Sequence, residues 1–419
     1  MRDRTGWRSP VARRVTCTPP DPRSMRTMSD RDPDDVPFFG LPIFGDLAKA
    51  FSAQGPLHWD AARQFAALTA TEGQPEPNVD PLARVQFADL ARIAEMHVQQ
   101  ATGLDLDRRG QPPQIVTVTP GAWAQRTLEA YRPLFTELAT SLSAPVGDSD
   151  DTDPTLAMLS GLTRMVAPAM MGMAVGSMVG HLARRAFGQY DIPLPREQHD
   201  ATLLIVPATI DAFADDWSIA RDEMRLWVLV QELAGHALLN VGHVRDTVLA
   251  LVRQHVAAFR PDPSGLADRL TSLDLSDADA MSSLERTLGD PSVLLGAMET
   301  AEQRALRPQL DAVMAVIVGY VDHMVDQVTD RLLGEGRRIG EAVRRRRVDS
   351  APHDLFVERL LGLHLDRALV ERGRTFVAGV VERAGADGLA PLVNDPRALP
   401  TPAEVDAPGL WLARLELAP

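Results

Sequence analysis

The sequence predicts a mainly α-helical fold with a minor β component, and three features carry that prediction. From Leu57 onward, apolar residues recur at the 3.6-residue helical period over most of the chain. Short Gly, Pro and Asp breaks separate these stretches, as helix ends require. Just one good strand candidate stands out, Leu203–Val206, a short apolar run that stops at Pro207.

Taken in order, residues 1–36 are rich in Arg, Pro, Asp and Ser and lack an apolar run of signal-peptide length, so they read as a disordered tail. Met25 and Met28 offer later starts within it. Packed structure is expected to begin near "VPFFGLPIFGDLAKAF", opening an N-terminal helical region over 37–143 with helices at Leu57–Thr69, Leu82–Ala101 and Ala122–Leu142. The polar run "APVGDSDDTDPT" at 144–155 reads as a linker. A larger domain, 156–419, follows.

That domain opens on a stretch with no charge between Arg164 and Arg184, about long enough to span a bilayer. Gly172, Gly176 and Gly180 give it a small-xxx-small pattern. Pro168, Ser177 and His181 interrupt it and no second span exists, so the expectation is a core helix buried on all sides, with glycines admitting close neighbours. A motif helix is expected over 218–239, capped by Ser218, with Asp222 and Glu223 placed to suit the helix dipole. Further helices are expected at Ala301–Leu332, in the arginine-rich stretch to Arg347, at Leu355–Leu363 and at Arg367–Ala384. The C-terminal end reads as an extended tail docked through Trp411.

Composition narrows the function. The chain has 419 residues, 45% hydrophobic and 5% aromatic, so its core is built mainly from Ala, Val, Leu and Met. A net charge of −14 argues against a nucleic-acid partner. The single cysteine, Cys17, permits no internal disulfide and fits a reducing, cytoplasmic compartment.

The stretch "LWVLVQELAGHALLNVGHVRD" (226–246) resembles the active-site helix of a zinc peptidase with its ligands displaced. In His-Glu-x-x-His helices two imidazoles one turn apart hold zinc, and the glutamate acts as general base. Here the corresponding positions run from Gln231 to Gly235, and a histidine arrives one place late, at His236. An amide oxygen is a poor zinc ligand, and glycine has no side chain to offer. A relocated shell using Glu232, His236 and His243 is conceivable, although Asn240, Val241 and Gly242 favour a helix end before His243.

Five blocks extend the resemblance from about Val36 to the C-terminus: "FFGLPIFGDLAKAFSAQGPLHWD", "GSMVGHLARRAFGQYDIPLP", "IDAFADDWSIARDEMRLWV", "LLGAMETAEQRALRPQLDAVMAVIVGYVDHMVD" and "LPTPAEVDAPGLWLARLEL". In these the chain resembles a family of zincin-like, zinc-dependent metallopeptidases or hydrolases common in GC-rich bacteria, some labelled as associated with biosynthesis of a deazaflavin coenzyme. The resemblance implies a zincin-like fold, with family ligand positions at Gln231, Gly235 and Val318. It makes Glu232 the base that would deprotonate a zinc-bound water during amide hydrolysis.

Since all three ligand positions carry non-ligand residues, the reading is a degenerate homologue ("QELAG"), catalytically impaired or inactive. It expects no cofactor and a function of binding a peptide, protein or small molecule. The alternative is an active zinc hydrolase with a rearranged shell drawn from Glu232, His236, His243 and His323.

Other constellations are weaker. Asp322, His323 and Asp326 read as a solvated face or a structural cluster, and Asp211, Asp215 and Asp216 as capping residues. The glycines near Gly334 have the wrong spacing for a nucleotide loop, and Arg344–Arg347 reads as a solvated helix end. No Gly-x-Ser-x-Gly elbow occurs.

Overall fold

The computed structural model describes residues 55–107, 110–143, 154–196, 201–260, 300–348 and 360–417, with side chains withheld over 154–166. The N-terminal tail, the linker over 144–153 and most of the expected Leu355–Leu363 helix lie outside them. Among the described residues the fold is mainly helical with two short strands, and the mainly helical class with a minor β part is the one the sequence predicts.

Helices α1 (Trp59–Thr71) and α2 (Pro81–Thr102) open the described chain. His58 and Asp80 accept the first-turn N–H groups of their respective helices. Strand β1 (Gln114–Thr117) follows, then α3 (Pro120–Ala130) and α4 (Arg132–Leu142). These last two replace the single helix expected over Ala122–Leu142. The path bends at Tyr131 (φ −101°, ψ 15°), where Pro133 enters the first turn of α4 and takes away a donor.

Helix α5 (Pro154–Ala183) carries the uncharged stretch. Its three glycines lie against α1: a Cβ at Gly172, Gly176 or Gly180 would fall 2.3 Å from His58 O, 2.2 Å from Ala62 O or 2.7 Å from Ala66 O. Glycine here lets backbone meet backbone, opposite the small buried face of α1, Ala62, Ala66 and Ala70. Unlike the expected helix buried on all sides, α5 exposes Ala167. Among the described residues no helix is long and apolar enough to cross a membrane.

A 3-10 turn (Gln189–Asp191) leads to β2 (Thr202–Ile205), which pairs in parallel with β1 from Gln114↔Thr202 to Thr117↔Ile205. Helix α6 (Pro207–Asp216) and helix α7 (Arg221–Asn240) come next. Ser218 does not cap α7; it sits at φ +52°, and the helix starts at Arg221 with Asp222 and Glu223 in its first turn. Asp211 and Asp215 tie the two helices together, Asp211 to Arg225 at 2.6 Å and Asp215 to Arg221. Every residue of α7 from Met224 to Leu239 is buried, so this is the helix enclosed on all sides.

Helix α8 (Gly242–Ala257), α9 (Ala301–Leu332), α10 (Gly336–Val348) and α11 (Arg367–Ala384) complete the large helices. A capping box between Thr300 and Gln303 starts α9 at the residue its sequence predicts. Helices α9 and α11 meet as closely as α1 and α5, since a Cβ on Gly319 would reach Gly373 O at 2.4 Å. Trp411 docks the C-terminus as expected, fully buried and edge-on to Phe376. The end is not extended, however. It forms α12 (Pro391–Asn394), α13 (Pro402–Asp406) and α14 (Pro408–Leu417), and the Glu404–Arg414 pair at 2.6 Å links the last two.

Candidate functional site

Gln231 and Gly235 lie one turn apart on α7, and Val318 projects from the facing helix α9. The fold brings all three to the wall of one cavity of about 60 Å³. The 3-10 turn adds Tyr190 and Asp191 to that wall, and α10 adds Arg346 and Arg347.

Glu232 points elsewhere. Its carboxylate is fully buried and is not part of the cavity wall; Oε2 accepts the backbone N–H of Tyr190 at 2.8 Å. Burial, and then the nearby charge of Asp191, raise its pKa well above the ordinary 4.5, against the backbone donors of Tyr190 and Gln189 and the charge of Arg196. The turn closes around this group. A Cβ on Gly188 would lie 2.4 Å from Glu232 Cδ, so any longer residue there would displace the Glu232 carboxyl group. Asp191 accepts the N–H groups of Phe187 and Gly188, and Trp123 donates to Gly188 O at 2.8 Å.

The turn in turn places Tyr190 on α7. Its ring lies 3.4 Å from where a Cβ of residue 235 would stand, so Tyr190 packs into the space that a longer side chain there would enter. Its hydroxyl reaches His236 Nδ1 at 3.1 Å, and Asn240 Nδ2 donates to His236 Nε2 at 2.9 Å. With the amide in that orientation the imidazole proton sits on Nδ1, and both ring nitrogens are engaged inside the protein. His243 lies beyond the break at Val241, where it donates from Nε2 to Leu392 O at 2.9 Å. On α9, half-buried His323 has its pKa lowered by burial, against the charge of Asp326. None of these three histidines is part of the cavity wall.

The arginine-rich end of α10 departs from its expected role as a solvated helix end. Arg347 binds Asp322 at 3.2 Å and Arg344 binds Asp326 at 3.1 Å, both across to α9. Arg346 lies 3.7 Å above the Phe187 ring and 3.8 Å from Asp191. Asp322 and Asp326 are therefore ion-pair partners that bind α10 to α9.

Zinc sites use His, Cys, Asp or Glu donors, with three protein ligands in a catalytic site and four in a structural one. Among the described residues no group of three or more such side chains is placed to hold a metal ion. Gln231, Gly235 and Val318 contribute an amide, a hydrogen and an isopropyl group, so this donor set does not fit zinc.

A family model described as zincin-like metallopeptidase matches residues 57–412. No curated protein matches the sequence. A crystal structure from Chloroflexus aurantiacus, described as a "putative hydrolase with a novel fold", is similar at a TM-score of 0.57 and 21% identity, covering 87% of this chain and 100% of that one. At that identity the likeness concerns the fold alone.

Proposed function

The chain belongs to the zincin-like metallopeptidase family, and we propose that it uses the family fold to bind a ligand, without zinc-dependent hydrolysis. One observation carries this reading: Gln231, Gly235 and Val318, the positions that the family resemblance assigns to the ion, line a single cavity, and none presents a zinc ligand. The surroundings support it. Tyr190 occupies the space beside Gly235, and the carboxyl that would serve as base is enclosed by the 3-10 turn, outside the cavity wall.

Glu232 thus has work in the fold that does not depend on metal. It fixes the turn that presents Tyr190 to α7. A carboxylate without a Lewis acid does little for amide hydrolysis, whose transition state needs charge stabilisation at the carbonyl oxygen. The test is hydrolysis of a fluorogenic peptide library by the untagged full chain, with added zinc and with a chelator. Turnover at background level in both conditions is expected. Zinc-dependent turnover that the chelator abolishes would overturn the reading.

A further inference from the structure

We propose that the outer face of α2 pairs antiparallel with the same face of a second copy of this chain. The helix carries more apolar residues than its inner face needs. Ala83, Phe87, Ala91, Ala94 and Val98 are buried on that inner side. Arg225 of α7 secures it, donating to Gln86 Oε1 at 2.8 Å and lying 5.4 Å from the Phe87 ring centre. The opposite side still presents Leu82, Val85, Ile93 and Met96, exposed at 62%, 58%, 41% and 58%. These are four of the eight large hydrophobic side chains exposed among the described residues. Single exposed apolar residues are ordinary, but four along one face of one helix form a patch.

The order of residues on this face names the occupant. Leu82, Val85, Asp89, Arg92, Met96 and Gln99 follow one another in alternating steps of three and four, the seam of a helix that pairs with another, and Ile93 flanks it. In one register the seam is complementary to itself. With a two-fold axis midway between Asp89 and Arg92, Val85 of each copy lies level with Met96 of the other, and Leu82 with Gln99. Asp89 then faces Arg92 of the second copy.

Asp89 and Arg92 already pair along the exposed helix face at 3.4 Å, so two copies close a ring of two anions and two cations at the centre of the contact. A parallel pairing would set Asp89 on Asp89 and Arg92 on Arg92. Charge therefore selects the antiparallel arrangement, and the same patch serves both partners, as a two-fold dimer requires. The seam is about 26 Å long at 1.5 Å per residue, which places the contact among small, reversible interfaces.

Sedimentation equilibrium of the untagged full chain, from micromolar to submillimolar concentration, tests this. The mean mass should rise from one chain towards two. Asp89→Arg leaves only cations at the centre of the seam and Arg92→Asp only anions, so each should weaken association at least about tenfold. An equimolar mixture of the two variants should recover the dimer, because each then meets its opposite. That recovery separates a lost contact from a lost fold. Val85→Glu should also stay monomeric, with an unchanged circular dichroism spectrum.

A mass of one chain at every concentration overturns the proposal and leaves the stripe to another protein or to residues 1–54 of the same chain. A dimer that the single charge reversals do not weaken assigns the association to a different face and overturns it equally. So does a mixture of the two variants that stays monomeric.

Discussion

Glu232 holds the 3-10 turn against α7 through its buried carboxyl group. Its carboxylate accepts the Tyr190 N–H in a fully buried setting, so Glu232→Ala leaves that donor unsatisfied and should cost about 1–3 kcal/mol in urea unfolding. Glu232→Gln keeps an acceptor there and should lose less. Because burial and Asp191 raise the folded pKa, the side chain's contribution is fully present below about pH 4.5, and it is lost as pH rises through the folded value. Wild type should therefore lose stability relative to Glu232→Gln as pH climbs from 4.5. Parallel unfolding free energies across that range would show that the carboxyl is not buried as described. At this scale the sequence reveals the displaced histidine but not its neighbours. The Tyr190–His236 contact spans 46 residues and depends on Gly188 leaving room for Glu232, which no local spacing discloses.

Among elements, close helix contacts decide what the chain tolerates. A Cβ at Gly176 would sit 2.2 Å from Ala62 O, so Gly176→Ala must part α1 from α5 and should cost about 1–3 kcal/mol. Gly242 makes the control, since a Cβ there meets only Arg245 Nη2 at 3.9 Å; Gly242→Ala should be neutral or stabilising by up to about 1 kcal/mol. Thermal unfolding of the two variants measures the difference, and equal midpoints would contradict the packing argument. Much of this layer was legible. The α9 bounds match the prediction, as the capping signal and an unbroken apolar period allow. The Gly172, Gly176 and Gly180 spacing marked a close contact, although not its partner. Strand β1 was missed, even though "QIVT" is rich in β-branched residues, because four residues carry too short an alternation. Arg344 and Arg347 depart from a solvated helix end because the acids that engage them, Asp326 and Asp322, lie on another helix.

For the molecule as a whole, the proposed binding function puts a ligand cavity at the positions that the family resemblance assigns to an ion. Tyr190 packs beside Gly235, and fixed guanidinium groups stand in the same wall as Gln231 and Val318. If so, restoring the donors should restore the metal. Gln231→His with Gly235→His and Val318→Glu should gain zinc, and more tightly once Tyr190→Ala clears room for the second imidazole. The most direct test of the central claim is the zinc content of the untagged wild-type chain, purified in zinc-supplemented buffer and measured by mass spectrometry after dialysis. Less than about a tenth of an equivalent is predicted, since tight zinc sites need several His, Cys or carboxylate ligands. One full equivalent, lost on His236→Ala or His323→Ala, would contradict the account.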